Sequence, residues 1–234
     1  MRFVSLFAGI GAEALGLEAA GMTPVAFAET DPFAARVLAE RWPGVPNLGD
    51  VSTIDWTDHD AELLAGGFPC QDISNAHTNG TRHALNGTKS GLWREYARAL
   101  DAIRPQWAII ENVAAWQRWV PDVRSDLARL GYASVPVELS AGTFGAPHVR
   151  PRCFVVAHAD GQGEPLRALH AEVARIRPLP VRGGRWRAPP PGGLRVDDGT
   201  PYGMDRCRAI GNSVIPDALT WIGNQLHPLA APAS

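Results

Sequence analysis

The chain has 234 residues, 45% hydrophobic and 20% charged, with a formal net charge of −2, the composition of an ordinary globular protein with one sizeable core. No run approaches the roughly 20 apolar residues that span a bilayer, and Phe3-Val4-Ser5-Leu6-Phe7 is too short for a signal peptide, so a cytoplasmic protein is expected. Cys70, Cys153 and Cys207 are odd in number and widely spaced, without CxxC or nearby His ligands, which argues against a disulfide framework or a zinc site and leaves Cys70 free for chemistry.

In chain order, Phe3 to Phe7 reads as a strand, Ala12 to Ala20 as a helix, Pro24 to Ala28 as a strand and Phe33 to Trp42 as a helix. That alternation predicts a parallel sheet with crossover helices. The first strand enters Phe7-Ala8-Gly9-Ile10-Gly11-Ala12-Glu13-Ala14, where Gly9, Gly11 and Ala14 satisfy the G-x-G-x-x-G/A pattern of a tight turn that lets a ligand approach the backbone. Glu29 closes the next strand at the spacing of a ribose ligand. Together they point to a nucleoside-containing cofactor, a bare strand–helix turn being the plainer alternative. Asp50, in Gly49-Asp50-Val51, is expected at the end of a third strand, where it could accept from an adenine amino group. There is no Walker-type Gly-Lys-Ser/Thr and no basic residue in the turn, so a neutral or cationic adenosine compound suits this acidic pocket better than a dinucleotide.

Leu63 to Ala65 and Trp107 to Ile110 are the next predicted strands. The first leads into Gly66-Gly67-Phe68-Pro69-Cys70-Gln71-Asp72-Ile73-Ser74 and the second into Glu111-Asn112-Val113. Strand ends of open α/β sheets are where such folds do chemistry, so a cysteine nucleophile and a carboxylic acid could share one crevice; a buried structural cysteine is the alternative. The polar stretch from Asp72 to Ser90 is a candidate lid. Helices follow at Leu92 to Ile103 and Val123 to Leu130, the latter ended by Gly131-Tyr132 in the manner of a C-cap. Val135 to Leu139 and Cys153 to His158 read as an antiparallel pair at the sheet edge.

Residues 160 to 205, which include Pro189-Pro190-Pro191-Gly192-Gly193, are rich in Pro, Gly and Arg and show no sustained period. They are expected to form a weakly structured insertion or a very small recognition module. Charge is uneven: residues 1 to 139 carry 11 basic and 17 acidic side chains, whereas 140 to 208 carry 11 basic side chains, all arginine, and 6 acidic ones. The second segment is where a polyanion would bind, a solvated arginine-rich loop being the alternative. Regular structure is expected again at Met204 to Ile210, and a closing helix at Ile215 to Leu226.

These residues resemble the cytosine-C5 DNA methyltransferases over nearly the whole chain except 160 to 205. Phe7-Ala8-Gly9-Ile10-Gly11 is similar to the family's S-adenosylmethionine loop, Glu29 to its ribose ligand and Asp50 to its adenine ligand. Gly67-Phe68-Pro69-Cys70-Gln71 resembles the nucleophile motif, Glu111-Asn112-Val113 the Glu-Asn-Val motif, and Gly211-Asn212-Ser213-Val214 the C-terminal motif that returns to the cofactor. The resemblance implies an α/β, doubly wound, mostly parallel Rossmann-like methyltransferase sheet with a small irregular target-recognition insertion. The expected division is a catalytic part at 1–158, a reduced insertion at 159–205 and a returning C-terminal helix at 206–234.

It further implies that Cys70 adds to C6 of cytosine, that Glu111 acts at N3 and the exocyclic amine, and that the base leaves the duplex to reach them. Arg150 and Arg152, in Gly145-Ala146-Pro147-His148-Val149-Arg150-Pro151-Arg152, are similar to a Gln-x-Arg-x-Arg motif in which His148 stands for glutamine. Alternating along an extended chain, both arginines could face the cytosine or its phosphate. Pro69, Asn212 and Ser213 fall to the cofactor, and Gln71, Ser74, Asn112 and His148 to the target base. Arg182, Arg185, Trp186 and Arg187 are candidates for groove and phosphate contacts, in an insertion whose small size implies a short recognition site and a short, phage-type member. The implied cofactor is S-adenosylmethionine and the implied partner double-stranded DNA, with no metal, no membrane and a monomeric chain expected. The rivals are a tRNA cytosine methyltransferase, an NAD-dependent oxidoreductase on the same glycine pattern, and a DNA-binding module without catalysis.

Overall fold

A computed structural model describes residues 1–69, 91–161, 163–180 and 214–226. Its frame is a six-stranded sheet of order β2-β1-β3-β4-β6-β5, formed by β1 (Arg2–Leu6), β2 (Thr23–Ala28), β3 (Leu63–Gly67), β4 (Trp107–Val113), β5 (Ala133–Ser140) and β6 (Pro151–His158). The first four strands are parallel, and Phe3, Leu63, Leu64, Ile109 and Ile110 are fully buried, as expected of strands covered on both faces. The chain crosses from β1 to β2 in one direction and returns to place β3 on the other side of β1. That reversal opens a crevice at the carboxyl ends of these strands.

Helices α1 (Ala12–Ala19), α2 (Pro32–Arg41) and α6 (Pro216–Leu226) contribute Leu17, Leu38 and Leu219 to the core on one face. On the other face, α3 (Gly91–Ile103) and α4 (Val120–Arg129) contribute Trp93, Tyr96, Val123 and Leu127. The start of α2 is set by Asp31, whose carboxylate accepts from the N–H groups of Phe33 and Ala34 at 2.9 and 3.0 Å, followed by Pro32 in the first turn. Gly131, at φ +89°, ends α4, with the Tyr132 N–H bonded back to Leu127 O at 2.9 Å. The closing helix α6 lies against α1, where Thr220 Oγ1 donates to Gly16 O at 3.0 Å. No helix among the described residues is long and apolar enough to cross a membrane.

The sheet ends as expected in an antiparallel pair, with β6 inserted between β4 and the edge strand β5. Because β6 runs backwards, its first residues stand beside the last residues of β4, with Arg152 paired to Val113 and Phe154 to Glu111. Pro136 is tolerated in β5 because an edge strand has one unpaired side.

Two expectations are corrected. No strand ends at Asp50: between α2 and β3 the chain pairs with the sheet at a single parallel bridge, Phe27 to Asn47, among the described residues. Gly44, Pro46 and Gly49 interrupt that stretch, and strand interiors disfavour proline and glycine. Nor is the region from 160 onward irregular throughout. Residues Glu164–Arg175 form helix α5, whose Leu166 and Leu169 are 4% and 1% exposed in the core. The abundance of proline and arginine downstream masked that short apolar face. The proposed lid from Asp72 to Ser90 and the expected structure at Met204 to Ile210 lie outside the described residues.

Candidate active site

Two acidic positions and a glycine turn gather at the ends of β1 and β2. Phe7, Gly9 and Gly11 all have positive φ, at 55°, 53° and 78°, so the backbone turns sharply between β1 and α1. Among the described residues nothing lies within 4 Å of where a Gly9 side chain would begin, leaving space over the turn for a ligand. Ala8 is buried and Ile10 partly exposed. Glu29 locks the turn from β2: one carboxylate oxygen accepts from the Gly9 N–H at 2.7 Å, the other from the Asp31 N–H at 2.6 Å. Asn47 clamps the following segment to Glu29, accepting the Glu29 N–H and donating to its carbonyl, both at 3.0 Å. Asp50 therefore follows close after a fixed point beside Glu29, without a strand of its own. Its exposed carboxylate accepts from the Ser52 N–H and hydroxyl at 2.9 and 2.8 Å, bonds that hold it below the usual carboxylate range.

A second group gathers at the ends of β3, β4 and β6. Glu111, 7% exposed, lies in register with Gly67 on β3. Arg152 Nε approaches its Oε1 to 2.9 Å; that oxygen has no aligned hydrogen-bond donor among the described residues, so the contact is one of charge rather than a well-directed hydrogen bond. Burial pushes the Glu111 carboxyl up to about 7, against the downward pull of Arg152 and Arg150. Burial, and then the neighbouring Arg152 charge, lower Arg150 in turn. An acid poised near neutrality can both hold and release a proton.

Gly67 makes room for this acid. A Cβ there would stand 2.7 Å from Glu111 Oε2, whereas one at Gly66 would meet the Leu6 carbonyl oxygen at 2.7 Å. Gly67→Ala is expected to displace the Glu111 side chain and lower turnover at least ~10-fold, since small misplacements of a reacting group are costly, while retaining most of the melting temperature. Gly66→Ala, which presses on backbone, is expected to lower the melting temperature more. Thermal unfolding beside turnover separates the two outcomes.

Asn112 is 2% exposed, and its side chain is committed to the protein rather than to the crevice. Its Nδ2 donates to Phe68 O at 2.8 Å and its Oδ1 accepts the Val113 N–H at 2.8 Å, tying the end of β4 to the turn that carries exposed Pro69. Beneath that turn Phe68 packs edge-on to buried Trp119 and tilted against Trp93, at 5.8 and 5.9 Å. His148 lies exposed on the loop that leads into β6, with Arg150 half-buried two residues on. Cys153 is buried and its thiol pushed up to about 12, which makes it inert. Cys70, Gln71, Ser74, Arg182, Arg185, Trp186, Arg187, Asn212 and Ser213 lie outside the described residues.

Sequence reasoning missed one buried acid. Glu13, 4% exposed in the first turn of α1, accepts from Ser5 Oγ at 2.6 Å, and its Oε1 has no hydrogen-bond partner among the described residues. Acidic residues are ordinary in a first helical turn, so nothing in the sequence marked it as buried. Desolvation pushes it up to about 8, with a smaller contribution from Glu111. The folded state thus holds a proton here that the unfolded chain releases near pH 4.5, and stability falls as pH rises from about 4.5 to about 8. At ~1.4 kcal/mol per pKa unit, Glu13→Gln is expected to be more stable than the parent at pH 8 by a few kcal/mol and about equal at pH 4.5. Urea unfolding at both pH values measures this, and parallel pH profiles would refute it.

Residues 1–179 match the model of the C-5 cytosine-specific DNA methylase family. The chain is 37% identical over 166 residues to the type II methyltransferase M2.BsuMI of Bacillus subtilis (strain 168), an alignment covering 67% of this chain and 42% of that protein. It is 36% identical over 163 residues to the type II methyltransferase M.Eco47II of Escherichia coli, covering 66% and 38%. Among solved structures, the Dnmt2 methyltransferase of S. pombe superposes with a TM-score of 0.58 at 23% identity, over 70% of this chain and 52% of that one. The alignments thus span less than half the length of these curated relatives, and the structural likeness establishes the fold.

Proposed function

This chain belongs to the C-5 cytosine-specific DNA methylases, and on that premise we propose that it transfers a methyl group from S-adenosylmethionine to C5 of cytosine in double-stranded DNA. The observation that carries the reading is Glu111: a buried acid poised near pH 7, charge-paired with Arg152, on the strand next to the one that leads into Cys70.

The turn at Gly9 suits that cofactor. The open space there and the acids Glu29 and Asp50 suit a cationic adenosine compound, and no basic side chain in the turn waits for a pyrophosphate. Gly9, Gly11, Glu29, Asp50, Pro69, Asn212 and Ser213 would hold it. When bound, S-adenosylmethionine supplies the electrophilic methyl group.

The chain's own residues prepare the cytosine. The Cys70 thiolate bonds to C6, breaking the C5–C6 double bond and moving electron density toward C5. Glu111 places its proton at N3, so that negative charge does not build up on the ring. After methylation a base removes the C5 proton, the Cys70–C6 bond breaks, the double bond is restored and N3 returns its proton to Glu111. Arg152 holds the Glu111 carboxyl, while Asn112 fixes the turn that leads to Cys70. The cytosine must leave the helix to meet these groups, and the arginine-rich region from 140 to 208 is the proposed phosphate contact.

Methyl transfer from labelled S-adenosylmethionine to duplex DNA, beside tRNA as acceptor, tests the reading. Label in DNA cytosine supports it; label in tRNA alone assigns the chemistry to a different nucleic acid.

A further inference from the structure

Three large apolar side chains stand exposed among the described residues, Trp116, Val149 and Leu179, and two of them lie on segments that join the sheet at the crevice end. The register of β4 and β6 closes with Val113 paired to Arg152. Trp116 follows three residues later on one segment, and Val149 precedes by three residues on the other. Both segments therefore leave the sheet from the end at which Glu111 stands. Trp116 is 40% exposed and Val149 83%.

The segment that carries Trp116 is anchored at both ends. Before it, Asn112 is tied to Phe68 O. After it, Trp119 is fully buried against Phe68, and its Nε1 donates to Val113 O at 3.1 Å. Between these anchors the Trp116 N–H bonds to Ala114 O at 2.7 Å. A single exposed tryptophan is unremarkable on a protein surface. An indole on an anchored segment that leaves the sheet at the end where Glu111 stands, with Arg118 two residues on and Arg150 on the segment that enters at the same end, suits a ligand that joins anionic phosphates to flat apolar rings. A duplex opened at one base has those properties.

On the reading that the chain methylates cytosine in duplex DNA, we propose that Trp116 is a positioning residue that stacks on a nucleobase bordering the extruded cytosine, with Val149 packing against the DNA from the opposite lip. The test is steady-state methyl transfer by the parent, Trp116→Ala, Trp116→Phe and Val149→Ser. Trp116→Ala is expected to raise KM for duplex DNA roughly 10-fold or more with KM for S-adenosylmethionine unchanged. Trp116→Phe should stay within about threefold of the parent, and Val149→Ser should show a smaller rise than Trp116→Ala. A Trp116→Ala KM for DNA within about twofold of the parent's overturns the proposal, as does an equal rise in both KM values, which would mark a general distortion of the site rather than lost stacking. If the parent labels no DNA, the functional reading fails instead. Equilibrium binding of a fluorescent duplex then decides the stacking: about 10-fold weaker binding by Trp116→Ala upholds it, and equal affinity refutes it.

Discussion

Cys70→Ala is expected to abolish methyl transfer, with a fall of at least ~10⁴-fold, because the variant keeps the rest of the site but cannot make the covalent bond that turns C5 into a nucleophile. Duplex binding should survive, since phosphate contacts dominate nucleic-acid affinity. Labelled-methyl transfer beside duplex binding is the measurement. A variant with more than a hundredth of parental turnover would place the nucleophile elsewhere. Cys153 is a poor substitute, buried and with its thiol pushed up to about 12.

The second large effect belongs to Glu111. Glu111→Gln keeps the shape but cannot give up a proton, and turnover is expected to fall ~10² to 10⁴-fold. The pH profile carries the same information. With the carboxyl pushed up to about 7 by burial, the parent holds the proton below that value and loses it above. Its turnover should fall on an alkaline limb centred near pH 7, absent from the residual activity of Glu111→Gln. Arg152 opposes the rise, so Arg152→Gln should move that limb to higher pH. A limb that stays in place when Arg152 is replaced would show that another group titrates.

Much of this arrangement was legible in the sequence. Parallel strands buried on both faces announce themselves as short apolar runs, so Phe3 to Phe7 and Trp107 to Ile110 were found within a few residues of β1 and β4. The glycine turn was legible because only a tight left-handed turn needs Gly9 and Gly11 so close together. Glu111 and Arg152 lie in separate motifs of the sequence, and the reversed direction of β6 puts them side by side.

What escaped the sequence depends on tertiary context. Asp50 was expected on a strand, but it stands on an exposed turn fixed by the exchange of hydrogen bonds between Asn47 and Glu29, a side-chain link without periodicity. Helix α5 was hidden by its surroundings. The resemblance gives Asn112 to the target base, whereas in the fold its amide bonds to Phe68 O and the Val113 N–H. Glu13 gave no signal, because burial of an acid in a first helical turn is decided by which face α1 turns to the sheet.

The most direct test of the central claim is covalent trapping on duplex DNA containing 5-fluorocytosine in the presence of S-adenosylmethionine. Fluorine cannot leave as a proton does, so an enzyme that attacks C6 stays bonded to the base. The parent is expected to form a denaturant-resistant protein–DNA adduct whose DNA-linked peptide contains Cys70, and Cys70→Ala is expected to form none. A parent that methylates cytosine in DNA yet forms no adduct, or an adduct that persists in Cys70→Ala, would contradict the account.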